Sequence, residues 1–179
     1  MNDRTFSLVP FGKDSTLPDL EVIGTISRHD PFLSIQFTLL GAVAGVILAA
    51  PSDAPLRKNN LWEETCLEFF LGIKNSPSYW EFNLSPAGHW NIYRFDSYRQ
   101  GMAEESAYTE LPFITETESD AFSLSLTLDL DEIIPIGRVL EVGISAVTQF
   151  KDDKITHWAL KHPSTKADFH DRSSFTIEL

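Results

Sequence analysis

A single cysteine, Cys66, rules out an internal disulfide, so the fold has to rest on its core. Cys66 sits mid-strand beside Glu68 and reads as a small half-buried residue, with a reactive thiol as the lesser alternative. Basic residues are also scarce: 14 Lys and Arg stand against 26 Asp and Glu, a net charge of −12 at pH 7. That field repels phosphate backbones and anionic headgroups, so neither nucleic acid nor a membrane surface is an expected partner. Long apolar runs are missing. The most hydrophobic segment, Leu39 to Ala50, is about half the length of a spanning helix and is divided by Gly41 and Gly45. It reads as two short buried strands around a turn. The first residues show no basic start followed by an apolar stretch and a small-residue cleavage site, so a cytoplasmic location is expected. Nucleophile elbow, phosphate loop, dinucleotide fingerprint, HExxH pair and DxDxDG loop are all absent.

What the chain does have is concentrated between Asn59 and Met102, which hold three of its four tryptophans and a series of carboxylates and amides. Leu67, Phe69 and Leu71 alternate with Cys66, Glu68 and Phe70; Trp80, Phe82 and Leu84 alternate with Tyr79, Glu81 and Asn83. A period of two sends successive side chains to opposite faces of a sheet. Ser85-Pro86-Ala87-Gly88 is turn chemistry, and a three-residue loop with Gly88 at a bulge position sets the register. Ser85 then faces His89, Asn83 faces Asn91, Glu81 faces Tyr93, Leu84 meets Trp90 and Phe82 meets Ile92. The preceding strand places Phe69 beside Phe82 and Glu68 beside Asn83. A slip of one residue would invert every side chain, so the agreement of both faces supports this register.

The same idiom runs through the chain. Leu33, Ile35, Phe37 and Leu39 alternate, as do Leu124, Leu126, Leu128 and Leu130. Further strands are expected over Thr5 to Val9, Glu21 to Ser27, Val139 to Phe150, Ile155 to Leu160 and Phe175 to Leu179, with one short helical turn over Asp129 to Ile134. Many short strands with hardly any helical periodicity predict an all-β antiparallel sandwich. At 179 residues, a single domain spanning residues 1–179 is the expectation.

LWEETCLEFFL, YWEFNLSPAGHWNIYRFDSYRQGM and the later ISAVTQF, HWAL, HP and DFH together resemble the DOMON-like family, whose relatives include haem- and sugar-binding DOMON sandwiches and family 9 carbohydrate-binding modules. The resemblance implies a jelly-roll-like sandwich with a binding surface on one sheet, and it leaves the activity open. Sugar recognition of that kind uses aromatic rings against a pyranose face and carboxylates or amides on its hydroxyls. Trp62, Glu68, Glu81, Asn83, Asn91 and Tyr93 supply those types, with Arg94 or Arg99 at the rim. The expected ligand is a carbohydrate or another small polar molecule, bound without catalysis. A plainer alternative makes the polar row the wet side of an antiparallel sheet, with Trp62 capping its edge.

Three other readings stay open. Paired Glu68 and Glu81, with Glu63 and Glu64 nearby, are the equipment of a glycan-processing enzyme. Haem in the related DOMON domains uses methionine and histidine, for which Met102 with His89, His157 or His170 would serve, although no CxxCH motif occurs. The acidic excess leaves a weak oxygen-ligand calcium site conceivable. Asp168-Phe169-His170-Asp171 is the one local grouping of acids around a histidine, and most simply a turn.

Overall fold

Period-two alternation becomes a one-sided sheet wherever only one face finds a partner. The computed structural model describes residues 3–12 and 19–179. In its first sheet β1 (Arg4–Ser7), β3 (Leu20–His29), β4 (Phe32–Gly41), β10 (Ala121–Asp129) and β9 (Ile114–Thr117) lie side by side in that order, all antiparallel. Along β10, Phe122, Leu124, Leu126 and Leu128 are buried, while Ser123, Ser125, Thr127 and Asp129 lie on the outer face. Ser34 and Thr127 share a hydrogen bond of 3.0 Å on that outer side.

The second sheet runs β2 (Val9–Pro10), β12 (Ile155–Ala159), β11 (Leu140–Gln149), β5 (Cys66–Ile73), β6 (Tyr79–Leu84), β7 (Trp90–Phe95) and β8 (Ala103–Glu104). The short β13 (Ile177–Glu178) pairs with the first residues of β11. The predicted register is found: Glu68 pairs with Asn83, Phe69 with Phe82, Asn83 with Asn91, Glu81 with Tyr93 and Leu84 with Trp90. The Ser85 amide donates to the His89 carbonyl at 2.9 Å, and Gly88 takes the positive φ of 90° that the loop requires. Phe69 and Phe82 stack at 4.3 Å between the sheets, in one core with Leu33, Phe37, Leu126 and Ile144.

Several expectations need correction. Leu39 to Ala50 is not a pair of strands. Leu39 and Leu40 belong to β4, and Gly41, at a φ of 96°, ends the extended run. Ala42–Gly45 then forms a 3-10 turn that carries the chain to the other sheet, where Val46 bridges Phe150 and the Ile47 amide donates to the Gln149 carbonyl at 2.7 Å. The segment is apolar because it crosses the core's rim, and small because it turns there. Thr5 to Val9 likewise divides at Leu8 between β1 in one sheet and β2 in the other. Asp129 to Ile134 contributes a single hydrogen-bonded turn, with both Ile133 and Ile134 donating to the Leu130 carbonyl. Cys66 is fully buried rather than half-buried.

The largest departure from a plain sandwich concerns the outer face of the second sheet. Every residue of β6, and all of β5 but Ile73, is buried, so both faces of these strands are covered. Residues 160–176 cross the outer face as a strap. Two glycines let it approach: a Cβ on Gly72 would lie 2.3 Å from the Arg172 guanidinium carbon, and one on Gly143 would lie 2.6 Å from the Phe175 ring. Arg172 fastens the strap by donating to the Ser76 carbonyl at 3.0 Å and pairing with Glu141. Phe175 completes a second apolar cluster with Phe70, Tyr79, Tyr93 and Phe95.

Gly143→Val is expected to lever Phe175 off the sheet, costing about 1–3 kcal/mol by overpacking and making residues 160–176 sensitive to native-state proteolysis. Phe82→Ala should cost more, about 3–5 kcal/mol, yet leave the strap protected. Unchanged denaturation midpoint and proteolysis in Gly143→Val would show that the strap does not need that contact.

Candidate functional site

Between the strap and the outer face of the second sheet lies a cavity of about 380 Å³. Glu68 and Phe70 come to it from β5, Glu81 from β6, Phe95 from β7, Val147 from β11 and His157 from β12. The 3-10 turn Leu61–Glu63 brings Trp62, the loop after β7 brings Arg99 and Met102, and the strap brings Ala167, Phe169 and His170. Sheet parity explains the set. Glu68, Phe70 and Glu81 all occupy positions whose side chains point away from the main core.

The floor is acidic and buried. Glu68 and Glu81 are only 2% and 5% exposed, and they occupy neighbouring strands. Glu68 accepts from the Ser145 hydroxyl at 3.1 Å through Oε2, while its Oε1 is buried without a hydrogen-bond partner. Glu81 accepts from the Asn83 amide at 2.9 Å. Burial pushes the Glu68 carboxyl up to about 8, with the nearby Glu81 adding to the shift, and burial likewise pushes Glu81 up to about 7 against the opposing help of Asn83 and Arg99. Beneath them the Cys66 thiol is raised by burial and then by Glu68, so it is neutral and unreactive.

His170 belongs to the same network. Its Nδ1 lies 2.8 Å from the Tyr79 hydroxyl, and its Nε2 lies 3.7 Å from Glu81 Oε2. The second contact has the spacing of an ion pair. Burial, and then Arg99, lower the imidazole to about 4, while burial raises Glu81 to about 7, so the two meet as neutral groups only between those values. Asp168 orders this edge by accepting from Arg99 at 2.9 Å, from the His170 amide at 3.1 Å and from the Tyr98 hydroxyl. The rim cation is thereby matched by an anion.

Four of the eight residues expected at a ligand face meet at the cavity: Trp62, Glu68, Glu81 and Arg99. Asn83 stands behind Glu81 as its hydrogen-bond donor. Asn91 and Tyr93 are buried in a different network. Asn91 accepts from Arg57 at 2.8 Å and donates to Asn59 and to the Lys58 carbonyl, and the Tyr93 hydroxyl donates to Asn59 at 2.7 Å. These bonds pin the loop that carries Trp62, whose ring meets Tyr93 edge-on at 5.9 Å. Arg94 falls on the parity of Trp90 and Ile92 and contacts Asp96 at the exposed end of β7, away from the cavity. The polar row is therefore not the wet side of a sheet. Sequence reasoning missed Phe70, Phe95, Val147, Ala167 and Phe169. Phe70 and Phe95 share the parity of the carboxylates and were legible as such.

Of the haem alternatives, Met102, His157 and His170 line the cavity. His89 does not. It lies in a separate depression of about 490 Å³ with Glu63 and Glu64, 2.9 Å from Lys58 and accepting from the Leu56 amide. Haem fits these residues poorly, since His170 is engaged through Tyr79 and faces Glu81, Met102 is half exposed on the rim, and the floor is a pair of carboxyls. Among the described residues no group of three or more His, Cys, Asp or Glu side chains is arranged to hold a metal ion.

No protein-family model matches the chain, and no curated protein matches its sequence. Solved structures do match in shape. A candidate carbohydrate-binding protein from Bacteroides uniformis superposes with a TM-score of 0.73 at 14% identity, over 97% of this chain and 84% of that one. A family 9 carbohydrate-binding module from Caldicellulosiruptor kristjanssonii superposes in its glucose complex with a TM-score of 0.52 at 11% identity, over 92% of this chain and 78% of the module. Its cellotriose complex gives 0.52 and 11% over 92% and 76%. At such identities the likeness is one of fold: this chain has the antiparallel β-sandwich of those modules.

Proposed function

We propose that the protein is a non-catalytic binding module that takes a carbohydrate or a similar small polar ligand in the strap-covered cavity. One observation carries the reading: exposed Trp62, buried Phe70 and Phe95 and half-buried Phe169 enclose the same space as two carboxyls, one of which has an oxygen without a partner inside the protein. Apolar walls with a few convergent polar groups are the general form of a small-molecule pocket, and about 380 Å³ lies near the lower end of the usual range of about 300–1,000 Å³. A sugar presents both a hydrocarbon face and hydroxyls, which suits walls and floor together. The sandwich shared with sugar-binding modules agrees with this function and with the DOMON-like resemblance of the sequence.

The sandwich shared with sugar-binding modules, and not the acid pair, favours binding over glycoside hydrolysis. That chemistry needs two carboxyls held in different protonation states, one to donate a proton and one ionised to act as base or nucleophile. Here burial pushes both in the same direction, and a coupled pair loses its two protons one after the other, so acidity alone does not separate the two activities. A protonated carboxyl can still donate one hydrogen bond and accept another, which is useful against hydroxyls.

Screening on a glycan array followed by calorimetry tests the proposal. Trp62→Ala is expected to weaken the best glycan roughly five- to tenfold, the loss of one aromatic contact, and Glu81→Ala to weaken it as well. Arg94→Ala and His89→Ala, which lie outside the cavity, should bind like the wild type. No glycan bound by the wild type, or equal binding by Trp62→Ala and Glu81→Ala, would discard the carbohydrate reading.

A further inference from the structure

The cavity's charge balance narrows the chemistry of its ligand, on the reading that it is a sugar site. Two carboxyls face the same space, and among the described residues no cation forms an ion pair with either apart from the largely neutral His170, Arg99 acting on Glu81 only from a distance. Arg99, the one guanidinium at the rim, is committed to Asp168 at 2.9 Å. The other groups at or beneath this face are His157 on β12, His170 on the strap, Tyr79 on β6 and Cys66 on β5. None places a positive charge on the floor: burial lowers both imidazoles, and the phenol and thiol carry none. A buried carboxyl usually has a paired or hydrogen-bonded partner for each oxygen, and Glu68 Oε1 has neither. Around the acids stand Trp62, Phe70, Phe95 and Phe169, aromatic rings of a kind that attract cations as well as sugar faces. The net charge of −12 draws cations toward the molecule from a distance.

We propose that the cavity accepts a ligand bearing a protonated amine, of the amino-sugar class, with its ammonium group on Glu68 and Glu81 and its ring against the aromatic walls. The ammonium supplies charge-assisted donors to the carboxyl pair and turns two costly buried acids into partners of a buried charge. Binding then favours the ionised carboxyl, and the proton it gives up goes to solvent. An acetylated amine has no charge to offer and releases no proton.

Calorimetry at neutral pH with D-glucosamine, N-acetyl-D-glucosamine, D-glucose and cyclohexylamine, repeated in two buffers of different ionisation enthalpy, separates the alternatives. Glucosamine is expected to bind about tenfold or more tighter than glucose or the acetylated sugar, the worth of a charge-assisted hydrogen bond, and to release protons on binding. Glu68→Gln, an isosteric neutral replacement whose melting curve reports an intact fold, should lose that preference and the proton release. Glucose or N-acetylglucosamine binding as well as glucosamine would overturn the amine inference and leave the sugar reading standing. Cyclohexylamine binding with no sugar bound would uphold the ammonium site and overturn the sugar reading. No binding by any of the four overturns the amine inference, while the sugar reading stands or falls with the glycan array.

Discussion

Burying both faces of one sheet is the constraint on which the rest of this structure depends. A sandwich normally needs each sheet to be apolar on one side only. Here the strands β5, β6 and β7 are covered on the outer side as well, and that outer side carries Glu68, Glu81, Asn83 and Asn91. Polar groups in that position must find partners or raise the energy of the fold. The two halves of the face solve the problem differently. Asn91 and Tyr93 are satisfied by Arg57, Lys58 and Asn59, and the result is a rigid loop. Glu68 and Glu81 are only partly satisfied, and the result is a cavity.

The strap makes this arrangement possible, and its attachment is built from backbone as much as side chains. Gly72 and Gly143 leave room on the sheet for Arg172 and Phe175, and the Arg172 guanidinium reaches the carbonyls of Ser76 and Ser78. Asp171 starts the 3-10 turn by accepting from the Ser173 amide at 2.9 Å. With the strap in place, Phe169 and His170 become walls of the cavity, and Tyr79 links His170 to the Arg99 amide. Strap, sheet and rim loop thus share one hydrogen-bond network. Losing the strap would return the acids to water and to ordinary acidity.

The strands were legible in the sequence because period-two alternation and a three-residue turn leave one consistent register, and Glu68, Asn83 and Asn91 fall in one row across β5, β6 and β7 as that register requires. Burial of the outer face was not read, although Phe70, Tyr79, Tyr93 and Phe95 share the parity of the carboxylates and a face open to water has little use for so many rings. A place for Arg94 at the rim runs against the same parity, which puts it with Ile92. The strap could not be anticipated by periodicity, because residues 160–176 form no strand and only the 3-10 turn Arg172–Ser174. The Asp168 to Asp171 grouping marked the right place. Its role follows only from the contacts of Tyr98, Arg99 and Tyr79 with it, which lie at least 69 residues away in sequence.

The central claim is that the cavity floor is a pair of buried carboxyls that no lysine or arginine among the described residues contacts, and carbon-13 NMR titration of the glutamate side chains tests it most directly. Spectra of Glu68→Gln and Glu81→Gln would identify the two signals, which titrate as a coupled pair. Both steps should lie well above the ordinary carboxylate range, toward about 8 and about 7. The folded protein then holds those protons longer than the unfolded chain, so its stability should fall as pH rises from the ordinary carboxylate value to about 8, and Glu68→Gln should flatten that decline. Both carboxyls ionising near about 4, as in free peptides, would contradict the claim and mean that the floor is open to water or already matched by charge.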